Sequence, residues 1–86
     1  MIVIPPSTVV LPKGQHMAFR EAIEQLFDCK GCVARMNIYS KAQEETVYVE
    51  FHPVPISESH KALVQRLLEG ELGVGGWVMR PQLLLS

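Results

Sequence analysis

Apolar and polar positions along this chain change period several times, and each change marks a predicted element. From Met17 to Asp28 the apolar residues Phe19, Ala22, Ile23, Leu26 and Phe27 recur at helical spacing, which predicts an amphipathic helix with one buried stripe. Gly31 stands beyond it as a left-handed stop, while only Gly14 and the turn set by Pro12 mark its start. The period then drops to two. Ala34, Met36 and Ile38 alternate with Arg35, Asn37 and Tyr39, and after a polar turn from Ser40 to Glu45, Val47, Val49 and Phe51 alternate with Thr46, Tyr48 and Glu50. These two runs predict a hairpin with one buried face.

Pro53 and Pro55 end the second run, and Ser57 or Ser59 offers a cap for a further helix with Glu58 in its first turn, where a negative charge suits the dipole. His60, Leu63, Val64, Leu67 and Leu68 lie on its apolar stripe, and Gly70 stops it. A glycine-rich turn, Gly73 to Gly76, leads into a last strand from Trp77 to about Leu85, and Pro81 inside it predicts an edge strand or a bulge. Before the first helix, Thr8 to Leu11 reads as a strand and Met1 to Ile4 as an extended arm or edge strand. The resulting βαββαβ order predicts an α+β, ferredoxin-like sandwich spanning residues 1–86 as one domain. In it a four-stranded antiparallel sheet carries two helices on one face and leaves the other open.

Composition supports a packed core, since the chain has 86 residues of which 48% are hydrophobic. Eight basic residues against nine acidic give a net charge of -1, which removes the electrostatic footprint of a protein that grips a phosphate backbone without sequence preference, so DNA is not an expected partner. Two cysteines suit a reducing compartment, and neither a leader nor an apolar run of roughly 18 residues, the length a membrane span needs, is present; the expectation is a cytoplasmic protein.

The one motif with chemical content is Cys29-Lys30-Gly31-Cys32. Redox pairs of this spacing sit at helix N-termini, where the dipole lowers the thiol pKa, whereas this pair follows the predicted C-terminal end of the first helix. Zinc would need two further ligands, and the spacings to His16, His52 and His60 match no common finger. No nucleophile, base and acid set and no paired carboxylates stand out, so neither catalysis nor a cofactor is expected. Glu44-Glu45 reads as a solvated turn. Gly70, Gly73, Gly75 and Gly76 follow a helix and precede a strand, so they form no phosphate cradle.

Tyr48-Val49-Glu50-Phe51 is similar to the end of the central-strand signature of the RNA recognition motif. Lys61-Ala62-Leu63 through Gly70, then Gly75-Gly76 and a closing strand, follow in that family's order, so the chain resembles it in degenerate form. The resemblance implies a sheet face that stacks single-stranded RNA on Tyr48. The chain departs from it at Glu44-Glu45, where a basic residue and glycine belong, at Thr46, and at Val9 and Val10, where stacking aromatics belong.

Tyr48, Tyr39, Arg35 and Asn37 are the expected binding residues of the open face, with Trp77 as a core or rim aromatic able to anchor an interface. The expected function is a non-catalytic module that contacts a protein partner, or a second copy as a homodimer, through the open face or through the apolar termini Met1–Ile4 and Leu83–Leu85. The alternatives are weak single-stranded RNA binding centred on Tyr48 and, behind it, dithiol redox or metal handling by Cys29 and Cys32.

Overall fold

The computed structural model describes residues 2–54 and 57–82. Alternating side chains build β1 (Ser7–Pro12), β2 (Val33–Ser40) and β3 (Glu44–Phe51); helical stripes build α1 (His16–Leu26) and α2 (Glu58–Glu69); β4 (Leu72–Val74) and β5 (Trp77–Pro81) close the chain. The fold is α+β, with an antiparallel sheet in the order β2-β3-β1-β5-β4. Among the described residues it holds five strands instead of the expected four, because Leu72–Val74 is a strand of its own. Gly75 and Gly76 form the two-residue turn between β4 and β5 with φ of 57° and 91°. That pair of positive values matches the right-handed twist of a tight hairpin and favours glycine. At Gly75 a Cβ would also come within 3.1 Å of the Trp77 ring.

β5 therefore lies inside the sheet, between β1 and β4, and not at an edge. Pro81 is tolerated because it ends the strand, opposite Ser7 of β1 and past the last residue of β5 that β4 pairs. Of the predicted continuation to Leu85, residues 83–85 lie outside the described residues, as does Pro55.

The N-terminal arm folds back on its own domain. Ile2 exchanges backbone hydrogen bonds with Val54 at 2.9 and 3.0 Å, and Ile4 is fully buried. Ile2 and Ile4 thus complete this chain's core.

The core joins one stripe of each helix to alternate strand residues: Phe19, Ile23 and Phe27 from α1 and its end, Val64 and Leu67 from α2, and Val9, Leu11, Val47, Val49, Leu72, Val74 and Met79 from the sheet. Phe19 meets Trp77 edge to face at 6.1 Å, and Phe27 meets Phe51 at 6.2 Å, arrangements that suit the ring quadrupoles.

Two local expectations change. In β2 the register slips between Val33 and Arg35, leaving Ala34 as an unpaired bulge residue. Val33 is buried in its place, and Ala34 is exposed. At the end of α1 the left-handed residue is Asp28, with φ of 47°, not Gly31. The Cys29 N–H donates to the Glu24 carbonyl at 2.9 Å and the Asp28 N–H to the Gln25 carbonyl at 3.2 Å, the paired bonds of a Schellman ending. Gly31 also has a positive φ, 83°, but it lies in the turn that follows, where its N–H reaches the Glu24 carboxylate at 2.7 Å.

The start of α1 lacks a local cap, since Gln15 makes no side-chain hydrogen bond to the helix. The acceptor comes from the sheet. Glu45, 2% exposed, receives the His16 backbone N–H at 2.8 Å and lies 2.9 Å from the His16 ring Nδ1. Burial works to raise the Glu45 pKa, but hydrogen bonds from the His16 ring and from the Gly14 and His16 backbone N–H groups outweigh it and hold the carboxyl below its ordinary range. Glu45 is therefore no solvated turn residue, although Glu44 beside it is exposed.

Candidate interaction face

Opposite the core, the sheet presents the other half of each alternation. Register sets the arrangement: Arg35 of β2 faces Glu50 of β3, Asn37 faces Tyr48, and Tyr39 faces Thr46. β1 extends two of these rows, with Thr8 beside Tyr48 and Val10 beside Thr46, and Arg80 of β5 stands beside Thr8. At strand spacings of about 4.8 Å, the row Asn37, Tyr48, Thr8 and Arg80 covers roughly 14 Å. Tyr39 and Tyr48 are diagonal neighbours, close enough for long side chains to touch one ligand.

The face is apolar at its middle. Val10 and Val78 there are 56% and 46% exposed, and Tyr39, in the same row at the β2 edge, is 61% exposed. Val10, Val78, Thr8 and Arg80 line one shallow groove, and Val10, Pro12, Lys41 and Glu44 line another at the hairpin end. Charges of both signs surround this middle. Arg80 pairs with Glu71 at 2.6 Å, Arg35 stands opposite Glu50 and donates through Nε to Asn37 Oδ1 at 3.3 Å, and Lys41 and Glu44 flank the same turn. The Tyr48 hydroxyl is pushed above its ordinary pKa by burial and then by the Glu50 carboxylate, with Arg35 partly offsetting them. Tyr48 remains a neutral hydrogen-bonding aromatic at neutral pH.

Four of the five expected binding residues, Arg35, Asn37, Tyr39 and Tyr48, thus share the open face. Trp77 does not: it is in phase with buried Met79, and its ring lies against Phe19 on the helix side. Val78 and Arg80 take its place on the open face. Their alternation with Trp77 and Met79 was the available signal.

The cysteine pair sits after the C-terminal end of α1, with both thiols free. Cys32 is buried, and burial together with a hydrogen bond to the Cys29 thiol and the charges of Cys29 and Glu24 pushes its pKa up to about 12. Cys29 is half-buried in a groove it shares with Glu24, Asp28 and Lys30. These surroundings favour the neutral thiol of Cys32 over the thiolate that redox exchange or metal ligation needs. Of the histidines, His16 is held by Glu45, His52 is exposed, and His60 packs against the Phe27 ring at 6.4 Å. Among the described residues no three His, Cys, Asp or Glu side chains converge as a metal site, and no helix is long and apolar enough to cross a membrane.

Comparison of the chain with protein-family models, with curated proteins and with solved structures found no match.

Proposed function

We propose that this protein is a non-catalytic interaction module of ferredoxin-like plan, akin to a degenerate RNA recognition motif, that binds a partner protein across its open sheet face. The order β2-β3-β1-β5 of four of its strands supports the ferredoxin-like plan, with β4 as an added edge. The observation that carries the functional reading is the exposure of Val10 and Val78 in one groove, with Tyr39 in the same row beyond Thr46, on a sheet face that no described residue covers. Monomers leave single apolar residues exposed routinely, but a cluster rimmed by polar groups marks a contact surface. Charges of both signs at the rim suit another protein better than a polyanion, whose capture needs an excess of Lys and Arg.

Tyr48 and Tyr39, with Arg35 beside them, favour a second reading, single-stranded RNA, in which each stacked base contributes about 1–3 kcal/mol. One pair of experiments separates the two. Val10→Lys with Val78→Lys should abolish co-purification of a protein partner from the native source while the melting temperature stays put; an unaffected partner rejects the face. Labelled single-stranded RNA at low salt should give no retention. Retention that falls with added salt and vanishes in Tyr48→Ala would establish the RNA reading instead.

A further inference from the structure

The two edges of the sheet are unlike. β4 is three residues long, carries Gly73 at its centre, buries Leu72 and Val74 and packs under both helices. Those are the devices that stop an edge from recruiting another strand. β2 is eight residues long and has none of them after its bulge. From Arg35 to Ser40 it holds no proline or glycine and one charge. Ile38 points to the helix side and is still 39% exposed, so the helix layer stops short of this edge.

The backbone of that edge is ready to pair. Lys41 donates its N–H to the Glu44 carbonyl at 2.7 Å, which makes Lys41 and Glu44 a hydrogen-bonded pair of the hairpin. Such pairs alternate along an antiparallel ladder. Tyr39, Asn37 and Arg35 therefore spend their N–H and C=O groups on β3, and Ser40, Ile38 and Met36 aim theirs away from it.

We infer that the β2 edge is a self-association edge, at which two copies of the chain pair antiparallel about a two-fold axis at Asn37 and join their sheets. This surface is the lateral edge of the sheet; it shares Arg35, Asn37 and Tyr39 with the open face but does not depend on the reading of that face. Among the even registers the backbone permits, the side chains select one. With the axis at Asn37, Met36 and Ile38 of each copy meet Ile38 and Met36 of the other on the helix side, covering the apolar surface the helices leave bare. On the open side, Arg35 of each copy meets the ring of Tyr39 of the other, a cation over an aromatic face, and the two Asn37 amides face each other. Moving the axis to Ile38 would set Arg35 against Lys41, like charge to like charge. Moving it to Met36 would run the Ala34 bulge into the new ladder.

The test is sedimentation equilibrium on the reduced chain over a concentration series. The expected result is a monomer–dimer equilibrium; a monomer at every concentration overturns the proposal. Ile38→Pro removes an N–H that points away from β3, so it leaves the hairpin's own bonds intact. It should shift the equilibrium at least about tenfold toward monomer with the circular dichroism unchanged. Where the proline variant fails to fold, Ile38→Lys makes the same measurement. A dimer that survives both, or that Val78→Lys disrupts while Ile38→Lys does not, overturns the edge and assigns self-association to the open face. The register has its own readout. Asn37→Cys, in a chain with Cys29→Ser, should cross-link on mild oxidation, because a central non-hydrogen-bonded pair holds its Cα atoms about 4.5 Å apart, within disulfide reach. Thr46→Cys in the same background should stay uncross-linked; equal cross-linking of the two rejects the register.

Discussion

The two faces of the sheet come from the same strands, a residue out of phase, and they obey opposite rules. On the covered face the buried Glu45 carboxylate is tolerated because the first turn of α1 supplies its hydrogen bonds. On the open face aliphatic groups stand uncovered: Val10 and Val78 are exposed at no benefit to the folded chain alone. The contrast separates residues kept for stability from residues available for contact.

Truncation in the covered layer should break this comparison most strongly. Phe19→Ala removes a fully buried ring that packs on Trp77, and should cost about 3–5 kcal/mol in urea unfolding. Glu45→Gln should come next. It weakens the acceptor at the start of α1 and lowers the melting temperature by less than Phe19→Ala does. Its signature is in pH. Because the folded carboxyl is held below its ordinary range, the stability it supplies is complete at neutral pH and drains as pH falls through the unfolded value toward the depressed folded one. Stability of the Gln variant should depend less on acid over that window, as read by denaturant titrations at several pH values.

Val10→Thr, on the other face, should change stability by no more than about 0.5 kcal/mol and should weaken partner binding instead. The smallest effect belongs to the thiols. Cys29→Ser should leave the melting temperature unchanged, and a thiol reagent at neutral pH should label half-buried Cys29 while sparing buried Cys32 until the chain unfolds. With its folded pKa raised, neutral Cys32 supports the fold fully below the unfolded thiol pKa. That support is lost as pH climbs toward about 12, which Cys32→Ala should relieve.

Much of this plan is legible in alternation alone, because a half-buried strand records its burial in every second residue. Arg35, Asn37, Tyr39 and Tyr48 fall on one face for that reason. Legibility fails where the period is interrupted or too short. The bulge at Ala34 moves the inward position to Val33, and β4 offers only Leu72, Gly73 and Val74, too few residues to show a period. Pro81 points to an edge because a sequence does not reveal that the neighbouring strand ends before reaching it. Glu45 is the instructive miss: it stands in phase with Val47 and Val49, yet an acid beside Glu44 at a turn reads as solvated. Only the presence of a helix start within reach makes its burial affordable.

The Glu45 carboxylate and the His16 N–H come from positions 29 apart in the chain, so the first helix is finished by a strand made after it. An isolated segment of this length is a marginal helix in water, and here its first turn lacks a neighbour able to secure it. The helix and the hairpin should therefore form together in a single cooperative step. A synthetic peptide covering residues 13–29 should be mostly unstructured, and Glu45→Gln should slow refolding as well as speed unfolding.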